Sequence, residues 1–548
     1  MSSEVFTFLV GGKAGEGVKK AGSVAANLFS GMGRHVFQYD DYQSLIRGGH
    51  NYSIVSTSTS PVLSQYMKAQ LVVNLDKKSC DMHKSHLTKD GILVHNSDSC
   101  ECQGLGVPFT SLAKDYPNPD LMLGVGAVAV LAAALGMEDK EMKSLVNEQY
   151  PRNVQQNIQY ASSIFDIASK ELKSKFELEP REKTRPIITG NQAIAMGAVC
   201  GGLDTYFAYP MTPASSILHT LAEWADELGI VVLHPESEIS VVNMAIGAAF
   251  TGARTMVGTS GGGMALMEEG FSLAGMSEAP LLCVLSSRPG PATGVPTYTS
   301  QGDLRFALGQ GHGEFPRIAA SPGTMEEAFV LAAEMLDLVW KFQTPGILLT
   351  EKHLSESAMT VDLDMNGMPW AKPITWNGKG QYRRYEQTKS GISPLHFPPS
   401  KELVKWSSYE HDELGITTER PEKIAAMHEK RKRKEEALLE HVKGMRTVNR
   451  FGKGPEILTY GSTTMSVLEA LNAGCIEASV VQPIYLEPFP TWELEGLDEY
   501  IVVEQSCIGQ FAQLVQEKTG KKAKAVLKRY DGRPFDPAEL AVQIKEVL

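Results

Sequence analysis

From residue 186 to about residue 351, short apolar runs alternate with helix-length segments, and the runs end in loops of Gly, Pro, Ser and Thr. Strands separated by helices of this length need right-handed crossovers, so the pattern demands a parallel sheet covered on both faces. Such sheets bind ligands outside the carboxyl ends of their strands. The residues that follow each predicted strand are therefore the ones to read for chemistry.

Four of these strand ends carry unusual residues. The run 205–209 leads into Tyr209-Pro210-Met211-Thr212-Pro213, with a helix predicted from Pro213. Each proline keeps the preceding residue extended, and Thr212 is stiff at χ1, so its hydroxyl has few directions available. Thr212 reads either as an N-cap or as a ligand-facing hydroxyl. The run 230–233 leads into Glu236-Ser237-Glu238, at the mouth of a nearly uncharged helix. Glu238 is either favoured there by the helix dipole or is a desolvated acid. The run 254–258 leads into Thr259-Ser260-Gly261-Gly262-Gly263, where the backbone can approach something bulky. The run 280–285 leads into a Pro- and Gly-rich loop from Ser286 to Asp303 that carries Arg288, Thr293 and Thr297. A rigid loop that carries an Arg with Thr hydroxyls nearby suits carboxylate binding. Four such ends on one sheet make a site.

The other segments repeat the α/β theme. A buried strand at 5–10 breaks into a glycine-rich turn, Gly11 to Gly17, before a small-residue helix, and its N–H groups could face an anion. The turn matches neither the dinucleotide fingerprint nor a P-loop. Arg47-Gly48-Gly49 could hold a phosphate or carboxylate, or could simply be solvated. The spacing predicts a first unit over 1–178, a second over 186–360, a linker with a charged helix over 361–449, and a last unit over 450–548. The basic run Lys430 to Lys434 reads as a solvated face, because Glu435 and Glu436 adjoin it. The fold class is thus α/β, multidomain, with parallel doubly wound sheets.

Composition excludes several roles. A net charge of -12 argues against a nucleic-acid partner. No apolar run approaches a membrane span and no secretory signal is evident, so a cytoplasmic location is expected. Seven cysteines form no C-x-x-C pair and are expected to be reduced thiols. Cys100 and Cys102 are close-spaced, but finger-like partners are lacking, so no metal site is expected in the chain.

The motifs Tyr209 to Pro213, Glu236 to Glu238 with Gly247-Ala248, Thr259-Ser260-Gly261 and the Arg288-to-Asp303 loop resemble the α subunit of 2-oxoacid:ferredoxin oxidoreductases. Met211 stands where that family's motif usually has Ile. The N-terminal unit is similar to the family's γ domain, the block from Glu410 to Arg431 to its linker, and residues 455–548 to its transketolase-C-like domain. The resemblance implies that the second unit is a pyrimidine-type thiamine diphosphate domain. Glu238 would then hydrogen-bond the aminopyrimidine and help form the ylide, and Thr212 would face the thiazolium and the substrate carbonyl. Arg288 and Thr297 would hold the substrate carboxylate, while Tyr209, Pro210, Thr259, Ser260 and Gly261 would line the cofactor. Arg47, Gly48 and Gly49 become possible coenzyme A or anion contacts.

No G-D-G motif and no cluster-type cysteine set is found. The resemblance therefore assigns Mg2+ and a [4Fe–4S] cluster to a β subunit, in an (αβ)2 assembly that passes electrons to ferredoxin and the acyl group to coenzyme A. The implied substrate is a 2-oxoacid, with 2-oxoglutarate favoured over pyruvate and branched-chain oxoacids. A non-redox thiamine enzyme and a catalytically silent scaffold are the alternatives.

Overall fold

The computed structural model describes residues 5–44 and 49–548. Three sheets carry the fold. The central one has the order Tyr485–Glu487, Ile318–Ala320, Pro345–Glu351, Leu281–Ser287, Thr255–Thr259, Thr205–Phe207, Val231–Leu233. All its pairings are parallel except that of Tyr485–Glu487, which joins Ile318–Ala320 antiparallel. The inner strands Leu281–Ser287 and Pro345–Glu351 are buried at every position, as expected for a sheet covered on both faces.

Helix Gly190–Cys200 opens with a capping box between Thr189 and Gln192 and lies directly on helix Met325–Phe342. A Cβ at Gly197 would come within 1.9 Å of the Phe329 carbonyl, so this crossing requires glycine.

The first sheet is mixed. Strand His50–Ser58 runs antiparallel between Phe6–Lys13 and His35–Asp41, while Ala69–Asn74, Leu87–Asn96 and Leu105–Val107 extend the sheet in parallel. Two strands that flank the central segment, Ile187–Thr189 and Ala358–Thr360, complete its far edge. The third sheet, in the order Val448–Gly452, Ser479–Pro483, Glu456–Leu458, Tyr500–Glu504, Ala525–Lys528, is parallel apart from its first strand. Among the described residues, no helix is long and apolar enough to cross a membrane.

Three local expectations are corrected. The helix after the Pro-rich motif spans Ser215–Leu228 with Ala214 at its N-cap, so Pro213 precedes it and Thr212 does not cap it. The Pro213 carbonyl instead accepts the Asn191 amide at 2.7 Å, and Ala214 N–H closes a turn on the Met211 carbonyl at 2.9 Å. The basic run is only partly solvated: on helix Pro421–Lys443, Lys430, Arg431 and Lys434 are buried, while Lys432 is exposed. Both lysines reach the buried carboxylate of Glu278, at 2.7 and 2.5 Å. Nor do all seven cysteines stand apart, since the sulfurs of Cys80 and Cys100 meet each other.

Candidate active site

Crossovers bring the four strand ends to one edge of the central sheet, and a chain of contacts joins them. Arg288 follows strand Leu281–Ser287 and donates from Nη1 to the Thr212 carbonyl at 2.8 Å. This bond ties the Pro-rich motif to the Arg-bearing loop. Burial weighs against the Arg288 charge, and the Asp303 carboxylate supports it. Asp303 in turn accepts the Ser287 hydroxyl at 2.7 Å. Burial pushes the Asp303 carboxyl up, while Ser287 and Arg288 pull it down. A Cβ on Gly261 would come within 2.7 Å of the Asp303 carboxylate, so the glycine run packs against the far end of the same loop.

Glu238 closes the chain. Ser237 caps helix Glu238–Phe250 by accepting the Ser240 N–H, which fixes Glu238 in the first turn, against the positive pole. The side chain is only 3% exposed, yet its Oε1 has no hydrogen-bond partner among the described residues. A Cβ on Gly263 would lie 2.6 Å from that oxygen and 2.1 Å from the Thr259 hydroxyl. Glycine at 263 is what lets helix Gly261–Leu266 sit against the acid. The Ser260 and Thr297 hydroxyls are likewise buried without partners among the described residues. Buried polar groups of a folded protein are normally satisfied, and three on these loops have no partner among the described residues.

Tyr209 and Pro210 are exposed at the rim, with the Tyr209 ring edge-on to His234 at 5.8 Å between centroids. Ile239 and Leu266, 54% and 52% exposed, extend an apolar surface from the rim along the two helices. A cavity of about 510 Å³ lies on the outer side of these helices, lined by Ile239, Leu266, Met276, Phe315, His428 and Arg431. It holds none of the residues singled out from the sequence.

The Arg288 loop is held rigidly from elsewhere. Val295 N–H returns to the Pro289 carbonyl at 2.9 Å, and Gly294 takes a positive φ of 55° where a Cβ would strike that carbonyl. Tyr298 donates to Asp41 of the first sheet at 3.2 Å, and Gln301 donates to the Tyr460 carbonyl of the last unit at 2.9 Å. The sequence names Ser287, Asp303 and Gly263 only as parts of their loops and gives them no role of their own. Their roles depend on contacts between distant loops.

The N-terminal glycine turn does not join this edge as an anion site. Its anion is internal: the buried Glu16 carboxylate accepts the Lys13 N–H at 2.6 Å. Arg47 and Gly48 lie outside the described residues. The Gly49 carbonyl accepts the Ala14 N–H at 2.9 Å, beside that turn and not beside Arg288.

A family model described as pyruvate flavodoxin/ferredoxin oxidoreductase, thiamine diP-bdg, matches residues 196–430. A second, pyruvate ferredoxin/flavodoxin oxidoreductase, matches residues 7–167. The 2-oxoacid:ferredoxin oxidoreductase subunit alpha of a Sulfolobus species is 28% identical over 99% of this chain and 97% of its own. A 2-oxoglutarate synthase subunit, KorA, of Archaeoglobus fulgidus is 37% identical over 31% of this chain and 50% of its own. Among solved structures, the 2-oxoglutarate:ferredoxin oxidoreductase of Magnetococcus marinus, with 2-oxoglutarate, coenzyme A and succinyl-CoA bound, superposes with a TM-score of 0.90. It is 26% identical, over 99% of both chains. With two matching family models and end-to-end similarity to alpha subunits, the chain belongs to the 2-oxoacid:ferredoxin oxidoreductase family of enzymes.

Proposed function

We propose that this chain is the alpha subunit of a coenzyme A-dependent 2-oxoacid:ferredoxin oxidoreductase, acting on 2-oxoglutarate to give succinyl-CoA. The observation that carries the reading is the orphaned, buried Glu238 Oε1 at a helix N-terminus, pressed against a glycine that admits no side chain. A buried carboxyl without a protein partner suits a ring nitrogen that must be bonded and protonated, and so fits the aminopyrimidine of thiamine diphosphate. When bound, that cofactor supplies the electron sink for decarboxylation.

The chain's own residues bind and orient. Glu238 holds a proton at the aminopyrimidine nitrogen. Thr212, half-buried and tied through its carbonyl to Arg288, offers its hydroxyl on the substrate side. Arg288 and the Thr297 hydroxyl take the substrate carboxylate, a pairing that Arg geometry favours. Thr259, Ser260 and Gly261 line the cofactor, with Tyr209 and Pro210 at its exposed rim. In this reading residues 1–178, 186–360, 361–449 and 450–548 are the γ-like, thiamine, linker and transketolase-C-like units.

A β subunit seats on the apolar rim near Ile239 and Leu266 and brings Mg2+ and the [4Fe–4S] cluster, in a cytoplasmic (αβ)2 assembly that reduces ferredoxin. Similarity to the Archaeoglobus subunit and the Magnetococcus enzyme supports 2-oxoglutarate as substrate. Arg47, Gly48 and Gly49 are assigned to coenzyme A or another anion. Supporting that side are buried polar atoms without partners among the described residues: both amide atoms of Asn74, His50 Nδ1 and Asn51 Oδ1.

The test is Glu238→Gln in the assembled complex. The carboxamide cannot hold the proton, so turnover should fall by about 10²–10⁴-fold. Gel filtration should show the complex intact. Near-normal turnover removes Glu238 from the role.

A further inference from the structure

Three sulfurs meet at one edge of the first sheet. Cys80 is buried on helix Lys77–His83, while Cys100 and Cys102 lie half-buried in the loop after strand Leu87–Asn96. Their Sγ atoms all lie within 4.8 Å of one another. The loop is built to bring them there. The N–H groups of Ser99 and Cys100 both close on the Asn96 carbonyl, at 3.0 and 3.1 Å. Asp98 anchors the loop from the other side by accepting the N–H and hydroxyl of Ser111, both at 2.7 Å.

The backbone spacing favours a bridge through a cation over a sulfur–sulfur bond. The Cα atoms of Cys80 and Cys100 stand 7.2 Å apart. Disulfides close over roughly 4.4–6.8 Å without backbone movement. Thiolates placed tetrahedrally about 2.3 Å from one ion have edges of about 3.8 Å; Cys102 Sγ lies 3.9 Å from Cys100 Sγ, and Cys80 Sγ stands closer to Cys100 Sγ than such an edge. On the same helix, both ring nitrogens of His83 are engaged, with His50 through Nε2 at 2.9 Å and with His86 through Nδ1 at 3.0 Å.

We propose that Cys80, Cys100 and Cys102 form a three-thiolate site for one soft divalent cation of the Zn2+ class, clipping the 97–104 loop to helix Lys77–His83. Thiolate ligands select such ions. Three S–H bonds are exchanged for three S–metal bonds, the protons go to solvent, and no electron moves.

The test uses the whole complex, purified in reductant and passed over a chelating resin, beside complexes carrying Cys102→Ser or Cys80→Ser. Zinc is measured by inductively coupled plasma mass spectrometry. The wild type should retain about one equivalent per chain more than either variant, a difference that cancels any metal held by a partner. Co2+ exchanged into the wild type should give a thiolate charge-transfer band in a difference spectrum against the zinc form. Where Cys80→Ser does not assemble, Cys102→Ser and the wild-type Co2+ spectrum carry the test. Equal zinc in wild type and variants overturns the site. So does a Cys80–Cys100 disulfide that persists in peptide mass spectra of the reduced complex.

Discussion

At the scale of single residues, the site depends on groups whose partners are incomplete within the chain. Arg288 spends one N–H on the Thr212 carbonyl, and that bond turns a flexible cation into a fixed one. Arg288→Ala removes the tether to Thr212 together with the proposed carboxylate partner. We expect the apparent KM for the oxoacid to rise by an amount worth about 2–5 kcal/mol, with a smaller effect on kcat. Steady-state kinetics of the assembled enzyme check this, and an unchanged KM reassigns the loop. Glu238 and Thr212 stand out in the sequence as candidates because each follows a strand and opens or precedes a helix. Gly263 and Asp303 were not legible as a pair of constraints. What each does depends on loops that meet only after the crossovers form, at Glu238 and Gly261.

At the scale of elements, local periodicity read the strands and helices of the central sheet well, since each signal lies within one segment. The failures came where a segment's partner is remote. Lys430 and Lys434 look solvated beside Glu435 and Glu436, but their helix turns them onto Glu278, which ends helix Glu268–Ser277 in the left-handed conformation. Burial favours the neutral lysines while the Glu278 carboxylate favours their charge, and the cations hold Glu278 well below the usual carboxylate range. Glu278→Gln strands two buried ammonium groups. We expect a loss of about 3–5 kcal/mol in unfolding free energy, read by denaturant titration of the complex. A loss under 1 kcal/mol, on the order of an exposed pair, would mean that the cluster is solvated after all. The glycine turn failed for a related reason. Its appetite for an anion was read correctly, but Glu16 already satisfies it.

At the scale of the whole molecule, the three sheets are joined by buried carboxyls. Glu351, at the end of a central strand, accepts the Ser462 N–H at 2.6 Å and the Gln301 amide at 3.3 Å. Glu469 of the last unit accepts the Tyr66 hydroxyl of the first at 2.5 Å. Burial pushes the Glu351 carboxyl up to about 7. The folded state therefore holds this proton more tightly than the unfolded chain. Its contribution to stability is complete below about pH 4.5 and is lost as pH rises through about 7. Over that window Glu351 should account for a fall of about 3 kcal/mol. Thermal unfolding across the window should show a shallower pH dependence in Glu351→Gln than in the wild type. Equal slopes would place the carboxyl in solvent.

The central claim, that this chain supplies one half of a redox thiamine site for a 2-oxoacid, is tested by turnover of the complex purified with its β subunit. The assay contains coenzyme A, a low-potential electron acceptor and a panel of 2-oxoacids. The account predicts acceptor reduction that requires coenzyme A, is greatest with 2-oxoglutarate, and yields succinyl-CoA. Carbon dioxide release without acceptor reduction, or no turnover with any 2-oxoacid, would contradict it.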